Sequence, residues 1–491
     1  MNPGVPIATA RLLPLLPLLL IAGCNGDGGK QTDAGSDTGS DTDLGTDTDT
    51  GSDTATDTHT DTGTDTGTGT DSDLCEGPLV RFVDREAEPA GDGLAWETAF
   101  TRVQDGLDAA LEVTEACGSG QVWVVQGTYF VYEESVHDTI ALRPGVEVYG
   151  GFTGDEASLE ERDPDPTLTV LDGHDSASGP SRVRHVVTGA SDALVDGFTI
   201  TGGRVVTGSD DDPHQEGAGV LMLDVQGMVL RNSVVTGNEG RDNGGASVQD
   251  SGAAFVGCEF RDNLTIEGAG ALQIWYGEVD IEGCTFTGHE AATGLGGALR
   301  SYESVLSIKR SVIGDNLAQY GGGAHFDNTW VWITDSVFTG NTADEGGGLE
   351  AEGSQVQITG ATFHGNGGFD ASAILAEYAE LSIVSSIFWG NPLSTPGDVV
   401  ENVSSDVAID YSVFAGGAAG EGVVNADPLF VDQDNGDYHL QAGSPAIDAA
   451  DGDALGDLDF DLNPRVDDPA TTNTGIGDPP YGDIGAFEHQ P

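Results

Sequence analysis

Two carboxylates stand at alternate positions in the stretch GGGLEAE, residues 346–352, where Glu350 and Glu352 flank Ala351. Alternation places both on one side of an extended strand. Such a pair can work as acid and base, hold a cation, or be two solvated side chains. The neighbouring sequence supplies partners. The same offset after other glycine-led segments gives the pairs Gln273/Trp275, Arg300/Tyr302, His325/Asp327 and Leu375/Glu377. Stacked strand over strand, one column reads Trp275, Tyr302, Asp327, Glu352, Glu377. The column beside it reads Gln273, Arg300, His325, Glu350, Leu375. Both columns are expected to face outward.

These residue types suit a sugar polymer. Trp275 and Tyr302 offer faces for sugar rings. Asp327 and Glu352, one strand spacing or ~4.8 Å apart, repel each other and raise a pKa. That separation matches the ~5 Å of a retaining glycosidase pair, whereas Asp327 and Glu377 at two spacings, ~9.6 Å, match an inverting one. The catalytic candidates are Asp327, Glu350, Glu352, Glu377, His325 and Arg300. The alternative is a solvated acidic ladder, or one that takes calcium through its oxygens. No Ser/His/Asp or Cys/His arrangement is supported by the sequence. Binding is favoured over catalysis, because bases that could serve a lyase are scarce: Arg300 and Lys309 are the near ones.

The elements that position these columns follow from an internal repeat. The segments LRNSVVTGN, FVGCEFRDN, IEGCTFTGH, IKRSVIGDN, ITDSVFTGN, ITGATFHGN and IVSSIFWGN superimpose. They end at Asn238, Asn263, His289, Asn316, Asn341, Asn366 and Asn391, in steps of 25–27 residues. Within each unit apolar positions alternate with period two, so the unit is made of strands. Coils of constant length with like residues in like positions stack in register as a parallel β-helix. The terminal Asn of each unit is read as a ladder passing hydrogen bonds to the next coil, with His289 as a ladder member. Cys258 and Cys284 fall in a Ser/Ala column and are read as inward fillers, a disulfide between them being left open. The glycines, Gly348 among them, are sharp corners rather than a phosphate loop, since no Gly-Lys-Ser/Thr follows.

Composition bounds the function. The 491 residues carry 83 acids against 17 bases, a net charge of −66. That field repels nucleic acid and anionic surfaces. Residues 1–23 read as a signal peptide ahead of Cys24, with Arg11 as their one charge. Residues 24–73 are nearly all Asp, Thr, Gly and Ser, a disordered tether. Residues 74–160 are the N-terminal cap and first coils, 161–430 the repeats, and 431–491 a closing segment rich in Asp, Pro and Gly. Cys75 and Cys117 flank the first folded segment as a plausible bridge in an exported chain. Thr101 and Gln104 form a capping box for a helix over the first coil, with Val103, Leu107 and Leu111 on its apolar line. Asp457, Asp459, Asp461 and Asn463 echo a calcium loop at alternate positions, without its glycine. Calcium is the one cofactor the sequence leaves open.

The units FRDN, FTGN, FHGN and FWGN with GGAL (296–299) resemble the FxxN and GGA[IL] repeats of the polymorphic outer membrane protein family. The ends resemble β-helix proteins with a choice-of-anchor Q domain, through GLAWETAF (93–100), LRPGVEVYGGFTGDE (142–156), NADPLFVDQDNGDYHLQAGSPAIDAA (425–450) and DIGAFE (483–488). The stretch IAGC (21–24) resembles a bacterial lipobox, which implies lipidation at Cys24 and passage to the outer membrane. The resemblance implies an all-β, right-handed parallel β-helix (a pectin-lyase-like solenoid) of about 10 coils of ~25 residues with a short capping helix. It implies a surface-exposed, monomeric protein that binds glycans or cell-surface components. A polysaccharide hydrolase or lyase is the alternative.

Overall fold

In a computed structural model of the chain, residues 79–205, 216–392 and 399–491 are described. The signal segment, Cys24, the tether and Cys75 lie outside the described residues. Cys117 is disulfide-bonded.

The repeat becomes three long parallel sheets of twelve, eleven and ten strands, to each of which a typical coil contributes one strand. The chain thus winds about eleven times. Strand partners are residues one coil apart. Leu349 pairs with Ala324 on one side and Ile374 on the other. Phe338 pairs with Ile313 and Phe363.

Register turns columns into packing. The Ile column Ile281, Ile308, Ile333, Ile358 and Ile383 lies in the interior, each residue buried. Phe338, Phe363 and Phe388 stack face to face with centroids 4.6 Å apart. That is the strand spacing itself, so the rings lie over one another because the backbone puts them there.

The turn asparagines bond along the axis. Asn341 Nδ2 donates to the Ile313 carbonyl at 2.8 Å and to Asn366 Oδ1 at 2.9 Å. Its own Oδ1 accepts from the Asn316 backbone N–H at 3.2 Å and from Asn316 Nδ2 at 2.9 Å. His289 fills the same position. Its backbone N–H donates to Asn316 Oδ1, and its Nε2 donates to the Phe260 carbonyl at 3.1 Å. Burial pushes the His289 pKa down to about 4, so the ring is neutral. A second ladder runs through the small-residue column. Ser311 N–H donates to Ser336 Oγ, Cys284 N–H to Ser311 Oγ and Cys258 N–H to Cys284 Sγ. Both cysteines are buried free thiols, with no disulfide between them.

The two ends differ from expectation in instructive ways. The helix Val103–Cys117 packs Val103, Leu107 and Ala110 into the cluster that holds Val83, Val122 and Val146, with Leu111 against it. Its N-cap is Arg102, with no side-chain cap bond, so the Thr101–Gln104 box does not form. Gln104 instead bridges outward: its Oε1 accepts from the Ala141 N–H and its Nε2 donates to the Ala141 carbonyl. A strand edge offers both groups at once, which a capping box cannot.

The C-terminal segment was expected to close the far end. It lies along the side of the last coils instead. Phe430, Tyr438, Leu440, Ile447, Ile484 and Phe487 share a core with Val337, Ile387 and Val413, which point outward from the eleven-stranded sheet. Gly485 N–H donates to the Ser385 carbonyl and Ala486 N–H to Thr362 Oγ1. Arg465 is buried there between Asp335 (2.8 Å) and Glu488 (3.2 Å). The outward column of that sheet reads Glu259, Thr285, Val312, Val337, Thr362, Ile387, Val413. From Val312 onward it has no charge, and apolar surface of that extent requires a cover.

Asn341→Ala is expected to cost about 2–5 kcal/mol, because it strands the buried Asn316 N–H and Ile313 carbonyl. Equilibrium urea denaturation of the full chain checks this. A change below about 0.5 kcal/mol would show that the ladder contributes little.

Candidate functional site

The two columns are built on the strands Leu272–Trp275, Leu299–Tyr302, Ala324–Asp327, Leu349–Glu352 and Ile374–Glu377 of the ten-stranded sheet. They are in register. Trp275 pairs with Tyr302, Tyr302 with Asp327, Asp327 with Glu352 and Glu352 with Glu377. The alternation leaves Leu349 and Ala351 fully buried in the core.

Only one column is open to solvent. Glu352 is exposed, and Trp275, Tyr302, Asp327 and Glu377 are half-buried. In the other column Gln273, His325, Glu350 and Leu375 are buried, and only Arg300 is half-buried. The expectation that both columns face solvent is therefore corrected. Ahead of the last four of these five site strands the chain adds a further four-stranded sheet, Glu290–Leu295, Leu317–Tyr320, Thr342–Glu345 and Gly367–Asp370. It then turns through the glycine corner against the inner column. Gly346 has φ +61°, and a Cβ there would lie 2.6 Å from the Leu349 carbonyl oxygen and 3.1 Å from Glu350 Cβ. Glycine is required both by the left-handed backbone and by this approach. The corner itself covers Glu350.

Electrostatics separates the columns. Glu350 is 4% exposed, and its Oε2 has no hydrogen-bond partner among the described residues. Burial, then the charges of Glu345, Glu377 and Glu352, push its pKa up to about 8. His325 stands 4.0 Å away through Nε2. Burial and the Arg300 charge push His325 down to about 3, so this pair is a neutral acid beside a neutral ring. In the open column, Glu352 is raised by burial and then by Asp327 and Glu377. Asp327 is raised chiefly by burial, against a 2.7 Å hydrogen bond from Asn328 Nδ2.

At the aromatic end the Trp275 and Tyr302 rings lie 5.3 Å apart at 50°. The Arg300 guanidinium sits 5.1 Å from the Trp275 ring centroid, a cation–π contact. Two residues here were not legible as site members. Tyr276 is exposed, holds φ +53° and meets Tyr302 edge-on at 5.5 Å. The equivalent position in a later coil is Gly353, so a tyrosine bears a backbone conformation that glycine takes freely. Glu216 comes from outside the repeat and folds over the sheet. It accepts from Ser247 Oγ at 2.9 Å and Gln249 Nε2 at 2.7 Å, and burial raises its pKa. Its one sequence signal is the acidic insertion SDDDPHQE at 209–216.

The calcium-loop residues do not converge. Asp459 is buried, with its oxygens accepting from the Asn463 and Glu488 N–H groups. Asp461 pairs with His439 at 2.7 Å, and Asp457 is exposed.

A pH prediction follows. Glu350 and Asp483, each raised to about 8, bind protons more tightly folded than unfolded. Their stabilising contribution is full below the ordinary carboxylate range and is lost as pH rises through about 8. His289 and His325 are depressed, so they contribute stability above their ordinary pKa that is lost as pH falls toward about 4 and about 3. The trends oppose each other below pH ~6.5, and above it the carboxyls act alone. The melting temperature should fall between pH 6.5 and 8.5. Glu350→Gln should shallow that slope and raise the melting temperature at the upper end. Parallel slopes for both proteins would remove Glu350 from the account.

No curated protein sequence matches the chain. Among solved structures, the pectate lyase Pel9A aligns at 13% identity and TM-score 0.46, over 84% of this chain and 96% of that one. A GH136 lacto-N-biosidase from Eubacterium ramulus aligns at 11% and 0.35, over 71% and 68%. The tailspike protein gp49 of Acinetobacter baumannii bacteriophage Fri1, a capsular polysaccharide depolymerase, aligns at 12% and 0.30, over 70% and 61%. Residues 218–427 match the family model of the right handed beta helix region, and the chain's fold is a parallel β-helix of that kind.

Proposed function

We propose that the open column of the ten-stranded sheet binds a polysaccharide. The observation that carries this reading is the in-register run from the Trp275–Tyr302 ring pair to Asp327, Glu352 and Glu377 on a straight, accessible face. Aromatic faces contribute apolar contact to sugar rings, and carboxylates accept from their hydroxyls. A repeating face meets a repeating ligand with the same contact several times over.

Binding without turnover accounts for the burial pattern better than hydrolysis does. The acid that stays protonated at neutral pH, Glu350, is covered by the glycine corner, and a general acid must reach the leaving oxygen. One observation favours hydrolysis as a second reading. Asp327 and Glu352 are ladder neighbours whose pKa values are both raised, the arrangement of two carboxyls that share a reaction. We also propose that the chain is a lipid-tethered surface protein. The IAGC stretch ending at Cys24 and the Asp/Thr/Gly/Ser-rich residues 24–73 support that reading.

Full-length protein is expected to be retarded in affinity gels by at least one polysaccharide of a panel, and Trp275→Ala should weaken that binding by about tenfold, the scale of a lost aromatic contact. Retention by none of the panel would end the binding reading. Reducing ends released by the wild type and abolished in Asp327→Asn or Glu352→Gln would establish hydrolysis instead. Cells fed a labelled fatty acid should label the wild-type chain and leave Cys24→Ser unlabelled. Equal labelling would refute the anchor.

A further inference from the structure

We infer that the polymer taken by this face is cationic, a polysaccharide of amino sugars carrying free amino groups, and not a uronate. This inference rests on the glycan reading above and names its substrate class. The argument is the distribution of charge. Asp327, Glu352 and Glu377 follow one another on the open column. Glu345 and Asp370 stand at the ends of neighbouring strands in the flanking sheet and are paired in register. These carboxylates disturb one another. Glu345 is raised by burial and then by Asp370 and Glu377, and Glu352 by burial and then by Asp327 and Glu377. Arg300 is the one base in the two columns, and it sits at the aromatic end against Trp275. Arg310, in the next strand region, is engaged with Glu282.

A second observation favours a cationic ligand. Glu350 lies beneath this cluster, 4% exposed, with Oε2 unpartnered among the described residues. Its charge neighbours are all carboxylates, Glu345, Glu377 and Glu352. A positive group held above them lowers the cost of ionising the whole set, so binding of a cation and release of protons are linked. The shape of the array selects the kind of cation. A hard metal ion wants six to eight oxygens converging on a point. Here Asp327, Glu352 and Glu377 are strung along a line, one per coil at ~4.8 Å, with Glu345 and Asp370 forming a second row beside them. A chain with one ammonium per sugar distributes charge in the same way. Its rings can lie on Trp275 and Tyr302 while its amino groups face the acids. A uronate chain would bring like charge to the same line, in a protein whose overall field already repels it.

The test compares three oligomers of equal length on the full chain by calorimetric titration: a glucosamine hexamer, its N-acetylated form and an oligogalacturonate. At low salt the glucosamine hexamer should bind about tenfold more tightly than the N-acetylated one, with the ratio falling toward one in ~0.5 M salt. The galacturonate should show no binding. Asp327→Asn combined with Glu352→Gln should abolish the preference, bringing the ratio of the two glucosamine-based affinities to about one at low salt. Hexalysine is the control for simple attraction to an acidic protein, its Asp-rich tether included. Hexalysine binding as tight as the glucosamine hexamer, or a preference that survives the double variant, overturns the inference. Equal or tighter binding of the N-acetylated hexamer or the galacturonate also overturns it while leaving the glycan reading standing. If no oligomer binds, this inference falls, and the affinity-gel panel decides separately whether the glycan reading stands.

Discussion

Everything in this structure depends on coils stacking in register, and the turn ladder is where a slip would be most costly. Each Asn side chain satisfies backbone or side-chain groups of its neighbours that are sealed from water, as Asn366 does by donating to the Phe338 carbonyl at 2.8 Å. A shift of one residue would leave those groups buried and unpaired, and would turn every strand's core face outward. The stacked Phe338, Phe363 and Phe388 rings impose the same register through shape. The site inherits its order from these interior contacts, because the outer columns are the other half of the same strands.

Two outer surfaces of the solenoid had different fates for reasons of polarity. On the eleven-stranded sheet, the outward residues Val337, Ile387 and Val413 draw the C-terminal segment onto them. The carboxyls buried in that contact are neutralised in two ways. Asp335 and Glu488 flank Arg465, while Asp483 beside Glu488 is held protonated up to about 8. On the ten-stranded sheet the open column carries charge and stays uncovered. The same chain therefore contains acids that are paired or protonated because they serve packing, and acids stacked on an open face, where Asp327 and Glu377 add to burial in raising Glu352. Repulsion of that kind costs stability, and it is the feature on which the proposed binding face rests.

The inner column is an intermediate case. Gln273, His325 and Glu350 are polar side chains pressed beneath glycine corners, with atoms that find no partner. Their burial follows from how closely the chain passes at Gly346, and that approach is possible only without a side chain. The corner thus sets which carboxylates can touch a ligand. Asp327, Glu352 and Glu377 can, and Glu350 acts on them only through its charge state.

Much of this was legible in the primary structure, and the boundary is physical. Constant spacing from Asn238 to Asn391 determines the coils, and period-two alternation determines the strands, since both follow from backbone geometry that repeats locally. Identity of columns then determines the pairs, so Trp275 above Tyr302 and Asp327 above Glu352 needed no coordinates. Exposure is another matter. Whether His325 and Glu350 meet water depends on a separate strand layer and a corner, not on their own alternation. Glu216 arrives from an insertion with no period, and the Thr101–Gln104 box lost to a partner 37 residues away at Ala141. Of the calcium-like set, Asp461 pairs with His439 and Asp459 accepts from the Glu488 backbone N–H, partners distant in sequence that no spacing shows. Periodicity is a one-dimensional property, and it determined what stacks on what. Burial, charge neutralisation and access are set by contacts between segments that share no period, and those only the tertiary structure could decide.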